Sequence, residues 1–270
     1  MKCIFPVAGY GSRFLPITKV VPKELLPIMS KPLIEYALDE ALYANINSFI
    51  MVINEQKELI RDYFSGNSFL DLHLKNKNKQ LNDLNQKISS CNFFYTYQEN
   101  MLGLGNAIFQ AKEFCKGEKF AVILPDDLCF NNEISVLKQM RDLSDLYPDK
   151  CIIAIEEVSM SEVEKYGIID GKVDDLREDI FHVKNLIEKP TQSKSPSNLA
   201  IIGRYILTPD IFSAIENISA DKNGEIQITN ALIKLAKKGK VLAYKFKGKR
   251  FDCGSYEGFN SAIKYIENMD

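Results

Sequence analysis

The stretch "CIFPVAGYGSRFLPITKVVPKELLPI", residues 3–28, begins with an apolar run and continues as a loop that is rich first in glycine and then in proline. The run at 3–7 is short and rich in β-branched and aromatic residues, which predicts a strand buried on both faces. Pro16, Pro22 and Pro27 prevent the residues after this strand from forming a long helix at once. The segment therefore predicts a strand whose carboxyl end opens into a loop.

Further apolar runs of this kind lie at residues 49–53, 120–124 and 151–155. Apolar residues with helical spacing occupy the intervals 32–44, 55–64 and 133–143. The alternation predicts an α/β fold, a Rossmann-like doubly wound sheet that is mixed, mainly parallel and flanked by helices. In such folds ligands bind outside the carboxyl ends of the strands.

After residue 165 the pattern changes to shorter strands. These are expected at 167–170, 181–188, 198–207 and 241–246, with helices at 227–239 and 256–269. No linker rich in Gly, Ser or Pro separates this part from the first. We expect one domain over residues 1–270, with an N-terminal nucleotide-binding half of about 1–160 and a C-terminal substrate half of about 161–270.

The composition excludes several classes of protein. The formal charge of −2 provides no global positive field to hold nucleic acid. The first apolar run is too short for a signal peptide, and no run has membrane-spanning length, so we expect no membrane partner. The six cysteines lie far apart without a C-x-x-C pair, which indicates reduced thiols in the cytoplasm. Two histidines are too few to favour a zinc site or a histidine relay.

The segment 66–90 is polar and rich in Lys and Asn, with apolar residues loosely spaced for a helix. Its K-N-K-N-K run, residues 75–79, is better read as a solvated helix face or loop than as an anion site.

The glycine loop lies where this fold class binds ligands. It contains neither G-x-x-x-x-G-K-[ST] nor G-x-G-x-x-G, which disfavours a P-loop enzyme and a dinucleotide enzyme. Glycine nevertheless lets a ligand approach the backbone amides, and Arg13 and Lys23 follow closely. This combination suits a polyphosphate.

Carboxylates follow two predicted strands. Asp126 and Asp127 come directly after the run at 120–124, and Asp252 lies beside a glycine near the carboxyl end of the chain. Mg²⁺ usually takes one or two carboxylates together with substrate phosphates. The alternative for each aspartate is an ordinary turn or helix cap.

Glu188 and Lys189 end another strand, just before Pro190. A carboxylate accepts hydrogen bonds from vicinal hydroxyls, and an ammonium binds phosphate. Strand alternation points neighbouring side chains to opposite faces, so a shared site requires a break in the backbone, which Pro190 makes plausible.

Eight motifs together carry a family resemblance. They are "AGYGSRFLPITKVVPKELLPI", "YQENMLGLGNAI", "LPDD", "YGIID", "LIEKP", "SNLAIIGRYIL", "EIQITNAL" and "FDCGS". In this order they resemble the bacterial UTP:glucose-1-phosphate uridylyltransferases (UDP-glucose pyrophosphorylases), a branch of the sugar nucleotidyltransferases. The resemblance covers about residues 3–265 and is weakest at 66–90.

The resemblance implies that UTP and α-D-glucose 1-phosphate give UDP-glucose and pyrophosphate, with Mg²⁺ as cofactor, in a homodimer or homotetramer. It implies uracil and ribose contacts for Ala8, Gly9, Gln98 and Gly103, and triphosphate contacts for Gly11, Ser12, Arg13 and Lys23, of which Arg13 and Lys23 are catalytic. It further implies Asp126 and Asp252 for Mg²⁺, and Gly167, Glu188 and Lys189 for the sugar phosphate, which makes the half of about 161–270 the sugar-binding half. Asp127 occupies a variable position and receives no role.

Three alternatives remain open from the sequence. The chain could use another nucleotide or sugar 1-phosphate in the same reaction. It could be a non-catalytic paralogue that regulates an active homologue, although Arg13, Lys23, Asp126 and Asp252 are all present. An NAD-dependent oxidoreductase is the third alternative, and the missing third glycine weakens it.

Overall fold

The computed structural model describes residues 1–66, 68–74 and 77–269. Within them the strands are β1 (Lys2–Pro6), β2 (Pro27–Ile28), β3 (Lys31–Pro32), β4 (Ser48–Ile53), β5 (Asn92–Tyr97), β6 (Phe120–Ile123), β7 (Asp127–Phe130), β8 (Cys151–Glu157), β9 (Gly167–Val173), β10 (Ile180–Glu188), β11 (Leu199–Leu207), β12 (Val241–Lys245) and β13 (Lys249–Asp252). The α-helices are α1 (Leu33–Tyr43), α2 (Glu58–Tyr63), α3 (Ser68–Leu74), α4 (Lys79–Ser89), α5 (Gly103–Gln110), α6 (Lys112–Cys115), α7 (Val136–Leu146), α8 (Asp210–Glu216), α9 (Ile228–Ala236) and α10 (Tyr256–Glu267).

Nine of these strands form one sheet in the order β5-β4-β1-β6-β11-β8-β12-β10-β9. Neighbours pair in parallel from β5 to β6 and between β8 and β12, whereas β10 and β11 run antiparallel to their neighbours. Four of the eight neighbour pairs are parallel, and seven of the nine strands point in the same direction. The sheet is therefore mixed, with mainly parallel strand directions, and the predicted fold class is confirmed. Two small ribbons, β2 with β3 and β7 with β13, lie outside this sheet.

Both faces of the sheet are buried. In β1, Ile4 belongs to one core cluster, and Cys3 and Phe5 belong to another. The same alternation occurs in β8, where Ile153 belongs to the first cluster and Ile152 to the second. Helices α5, α8 and α9 cover the first face, and α1, α2 and α7 cover the second. Burial on both sides explains why these strands are continuous apolar runs in the sequence.

The predicted strands at 3–7, 49–53, 120–124 and 151–155 correspond to β1, β4, β6 and β8. β5 is a strand that the apolar-run pattern does not predict. It lies at one edge of the sheet, and its residues are half-buried or exposed. An edge strand needs less apolar character than a central one, so its sequence carries a weaker signal.

The prediction of one domain with two halves remains a prediction. Strands from both sides of residue 160 alternate within the single sheet, since β11 lies between β6 and β8. This arrangement agrees with one continuous core. The boundary between the two halves rests only on the change of sequence pattern after residue 165.

The segment 66–90 is largely helical where it is described, with α3 and α4 exposed over much of their surface. Residues 75 and 76 of the K-N-K-N-K run lie outside the described residues. In the described part of the run, Lys77 and Asn78 are exposed in a loop and Lys79 is the exposed first residue of α4, in agreement with the prediction of a solvated helix face or loop.

All six cysteines are free thiols, as the sequence predicts. Within residues 1–66, 68–74 and 77–269, no helix is both long enough and apolar enough to cross a membrane.

Candidate active site

Two neighbouring cavities lie beyond the carboxyl ends of the central strands. The first, about 340 Å³ in volume, is called here the glycine-loop cavity, and its walls include Ala8, Gly9, Lys23, Gln98, Gly103 and Asp126. The second, about 210 Å³, is called the Glu188 cavity, and its walls include Tyr166, Gly167, Glu188, Lys189 and Thr229. Leu104 and Leu124 line both cavities, so the two spaces adjoin.

The glycine loop brings a lysine close to the backbone that follows β1. Gly11 has a φ of 68°, in the left-handed region, and a Cβ there would lie 3.3 Å from the Cβ of Lys23. The Thr18 hydroxyl donates a hydrogen bond of 2.8 Å to the Gly11 carbonyl oxygen. At Gly9, in contrast, a Cβ would meet nothing within 4 Å, so its backbone borders open space. Glycine at position 11 permits the turn, and Gly9 leaves room for a ligand.

Lys23 and Asp126 form an ion pair at the glycine-loop cavity, with 20% and 25% of their side chains exposed. Burial alone would lower the pKa of Lys23, but the charges of Asp126 and Glu24 outweigh it and raise that pKa. Burial opposes ionisation of Asp126 as well, and the ammonium of Lys23 reverses this effect and lowers the carboxyl pKa. Both groups are therefore charged at neutral pH.

Behind this pair lies a second, more deeply buried one. Lys57 donates a hydrogen bond of 2.9 Å to Glu24, and only 1% of Glu24 is exposed. Glu24 also lies 4.0 Å from the ammonium of Lys23. Two lysines and two carboxylates thus alternate from the interior to the cavity, which compensates the burial of each charge.

Asp252 faces Asp126 across Gly254. A Cβ at position 254 would lie 3.0 Å from Asp252 Oδ1, 3.1 Å from Asp126 Oδ2 and 3.3 Å from an Arg13 guanidinium nitrogen. The same guanidinium donates a hydrogen bond of 3.2 Å to the Gly254 carbonyl oxygen. Burial, followed by the charge of Asp127, raises the pKa of Asp252. Glycine at 254 therefore keeps open a space that two carboxylates and one arginine share.

The space beside Gly254, between Asp126 and Asp252, fits a hard divalent cation. Mg²⁺ binds through one or two carboxylates and completes its coordination with water and substrate phosphates. Two carboxylate oxygens beside the space kept open at Gly254 match that requirement. Among the described residues no three His, Cys, Asp or Glu side chains form a complete site of their own, so phosphates and water would have to supply the other ligands.

Asp127, to which the sequence analysis assigned no role, forms hydrogen bonds within the protein. Its carboxylate accepts hydrogen bonds from the Gly203 N–H at 2.6 Å and from Arg250 Nε at 2.7 Å. Arg250 also pairs with Glu156 at 2.6 Å, and its guanidinium lies over the ring of Tyr166. Asp127 and Arg250 thus join the β7·β13 ribbon to the wall of the Glu188 cavity.

Glu188 and Lys189 line the same cavity, although strand alternation would separate them. Lys189 has a φ of 45°, and its N–H donates to the Tyr166 carbonyl oxygen at 2.9 Å. The backbone therefore leaves the extended conformation directly after β10, which ends at Glu188. The Glu188 carboxylate accepts a hydrogen bond of 2.6 Å from the Thr229 hydroxyl and lies close to Gly167.

Gln98 follows β5 and is almost fully buried, with 4% of the residue exposed. Its backbone N–H donates to the Ile53 carbonyl oxygen at 2.8 Å. Its side-chain Nε2 donates to the Gly103 carbonyl oxygen and to Asn106 Oδ1, each at 3.0 Å. The side chain is thereby fixed in the wall of the glycine-loop cavity.

The structure brings nine of the thirteen predicted site residues to the walls of the two cavities. The other four, Gly11, Ser12, Arg13 and Asp252, belong to the loop and ribbon beside the glycine-loop cavity. Sequence reasoning assigned no role to Asn106, Thr229 and Arg250. All three lie in or next to the quoted motifs, but the sequence does not reveal which side chains they bind in the folded protein.

Comparison with known proteins shows the family to which the chain belongs. The family model described as nucleotidyl transferase matches residues 3–269. A UTP–glucose-1-phosphate uridylyltransferase of Pseudomonas aeruginosa is 51% identical to the chain over 99% of the chain and 96% of that relative. A solved UDP-glucose pyrophosphorylase in complex with UDP-glucose is 47% identical, with a TM-score of 0.90 over 100% of this chain and 99% of that one.

A UTP-bound enzyme of the same kind from Acinetobacter baumannii is 33% identical, with a TM-score of 0.91 over 100% of this chain and 94% of the other. Sequence and fold therefore agree over nearly the whole length of the proteins compared. The chain belongs to the nucleotidyl transferase family and, within it, to the UTP–glucose-1-phosphate uridylyltransferases.

Proposed function

We propose that the chain transfers the uridylyl group of UTP to α-D-glucose 1-phosphate, giving UDP-glucose and pyrophosphate. Membership of the family supports the reaction. The observation that carries the proposal is the junction of the two cavities at Leu104 and Leu124, with Lys23 and Asp126 facing the first of them. A nucleotide in one cavity and a sugar phosphate in the other would meet beside these charges.

The glycine-loop cavity would hold UTP. The open backbone at Gly9 and the neighbouring Ala8 suit the flat face of uracil, and Gln98 and Gly103 line the same space. Gly11, Ser12, Arg13 and Lys23 would contact the triphosphate. Cationic side chains and backbone amides are the groups that bind phosphate oxygens.

Asp126 and Asp252 would hold Mg²⁺ beside the triphosphate, since their oxygens border the space at Gly254. The cation would supply charge neutralisation to the phosphates. Arg13, which borders the same space, would hold the pyrophosphate as it leaves.

The Glu188 cavity would hold glucose 1-phosphate. Glu188 is fixed by Thr229 and can accept hydrogen bonds from sugar hydroxyls with the lone pairs that remain. Lys189 would bind the phosphate, and Gly167 would let the sugar approach the backbone.

The chemistry requires no general base. The second pKa of a phosphate monoester is about 6, so at neutral pH the attacking oxygen is already mostly ionised. Positioning this oxygen in line with the α-phosphorus, together with charge stabilisation by Lys23, accounts for catalysis. The two histidines are placed elsewhere, His73 in α3 and His182 on β10, where it bonds to Asp174.

A panel of nucleoside triphosphates and sugar 1-phosphates tests the proposal, with pyrophosphate release measured with and without Mg²⁺. We expect UTP and glucose 1-phosphate with Mg²⁺ to give the highest kcat/KM. Faster release with another nucleotide or sugar would show a related transferase, and the absence of release with every pair would indicate a regulatory paralogue.

We also propose a cytoplasmic location and a homodimer or homotetramer. The six free thiols support a reducing compartment. The oligomer rests on the family resemblance, and light scattering of the purified protein would measure its mass in solution.

A further inference from the structure

The carboxamide of Gln98 donates both of its hydrogens within the protein. Nε2 lies 3.0 Å from the Gly103 carbonyl oxygen and 3.0 Å from Asn106 Oδ1. A carboxamide offers two donor hydrogens and one acceptor oxygen. These contacts use both donors, so the oxygen, Oε1, is the atom that Gln98 can offer to a ligand in the glycine-loop cavity.

The orientation of this carboxamide is strongly determined. Rotating the amide by half a turn would place Oε1 against the Gly103 carbonyl, which can only accept hydrogen bonds. It would also remove Nε2 from both of its partners in a residue that is 4% exposed. A buried donor without a partner is costly, so the observed orientation is favoured.

Asn106 contributes one of the two acceptors and lies in α5. Asparagine is a weak helix former, because its side chain competes with the backbone for hydrogen bonds. Its Oδ1 is instead directed at Gln98, eight residues earlier in the chain. The contact therefore joins the residue after β5 to the helix that follows it.

We propose that Asn106 is a positioning residue that sets the nucleobase preference of the site through Gln98. Held in this orientation, Gln98 presents an acceptor, which matches the ring N–H of uracil and opposes the lone pair at the corresponding nitrogen of cytosine. The inference rests on the proposed function, which places the base in the glycine-loop cavity. It adds that the Gln98 oxygen, held in place by Asn106, selects the base.

The affinities of UTP and CTP, measured by calorimetry, test this inference without requiring sugar transfer. In Asn106→Leu the Gly103 carbonyl alone holds the amide, so the turned orientation, which offers Nε2 to cytosine, becomes less unfavourable than in the wild type. We expect the ratio of the dissociation constant for CTP to that for UTP to fall about tenfold, which is the effect of one buried hydrogen bond. Asn106→Asp retains an acceptor oxygen and should retain the wild-type ratio.

The same substitution in a Gln98→Leu background separates positioning from a general loss of structure. If Asn106 acts through Gln98, Asn106→Leu will not change the ratio further in that background. Equal affinities of the wild-type protein for UTP and CTP would overturn the inference. The inference would also be overturned if Asn106→Leu lowered the affinities for UTP and CTP by the same factor, or if it changed their ratio in the Gln98→Leu background.

The result is independent of the reaction itself. A protein that binds UTP selectively through Gln98 and Asn106 but forms no UDP-glucose would contradict the proposed function and leave the base-selection inference supported.

Discussion

Lys23 and Asp126 form an ion pair although 103 residues separate them in the chain. Lys23 belongs to the loop after β1, and Asp126 follows β6, the strand that pairs with β1 in parallel. Because parallel neighbours end at the same edge of a sheet, their carboxyl-end loops meet there. The fold thus places the ammonium group of one loop against a carboxylate of another, in the wall of the glycine-loop cavity.

Replacement of Lys23 by Ala should lower kcat about 100- to 1000-fold, with smaller changes in either KM. This is the usual cost of losing a group that stabilises transition-state charge. Steady-state kinetics measure both constants. Lys19→Ala is the matched control, because it removes an exposed lysine from the same loop, and we expect wild-type kinetics from it. A Lys23→Ala enzyme with wild-type kcat would refute the role.

Replacement of Glu188 by Ala should raise the KM for glucose 1-phosphate about 10- to 100-fold, the range expected when hydrogen bonds to a charged group are lost. The KM for UTP should hardly change, because Glu188 lines the other cavity. Glu178→Ala removes an exposed carboxylate from the segment that joins β9 to β10 and serves as the control. An unchanged sugar KM in Glu188→Ala would contradict the assignment.

The pH profile should have an acidic limb only. The sugar phosphate loses its second proton with a pKa of about 6, so kcat/KM should rise between about pH 5 and 7. Lys23 has a raised pKa, because the charges of Asp126 and Glu24 outweigh its burial, so it stays protonated as the pH rises further. We therefore expect a plateau to about pH 9, below the ordinary lysine pKa of about 10.4. A fall in rate between pH 7 and 9 would show that Lys23 is not the group that supplies the charge.

The Arg204–Glu40 pair should matter for stability. Its atoms approach to 2.7 Å, and 1% of the Arg204 side chain is exposed. Arg204→Met would remove the counter-charge of the buried Glu40 carboxylate and leave the Leu137 N–H as its remaining donor, at a cost of about 3–5 kcal/mol in urea unfolding. Lys245→Ala breaks the exposed pair with Glu157 and should cost about 1 kcal/mol or less. Equal losses for the two variants would show that burial of the pair is unimportant.

The sequence predicted the central strands well, because burial on both faces makes β1, β4, β6 and β8 continuous apolar runs. It did not predict β5, whose edge position requires little apolar character. The ribbon of β7 and β13 was also absent from the prediction. Its four-residue strands pair Asp127 with Asp252, and such a short non-local pairing leaves no periodic signal in either segment.

The motifs point to residues that the structure places in the cavity walls, as at Gln98 and Glu188, and their roles there remain predictions. The hydrogen-bond partners of these two side chains, Asn106 and Thr229, were not predictable, because the contacts depend on the tertiary fold. The left-handed backbone of Lys189 is a further example, since the sequence offered only Pro190 as a sign of the break. The residue types indicated which side chains could bind phosphate, metal or sugar, whereas their contacts with one another became visible only in the folded chain.

We propose that a cation held by Asp126 and Asp252 assists transfer of the uridylyl group from UTP to glucose 1-phosphate. The decisive measurement is the formation of UDP-glucose and pyrophosphate across a Mg²⁺ titration, in wild type, Asp126→Asn, Asp252→Asn and the exposed control Asp170→Asn. We predict equal amounts of both products in wild type and control, and an increased Mg²⁺ requirement with a lower maximal rate in the other two variants. Full activity of the wild type in EDTA, or unchanged Mg²⁺ curves in both site variants, would contradict a role of the two aspartates in holding the cation.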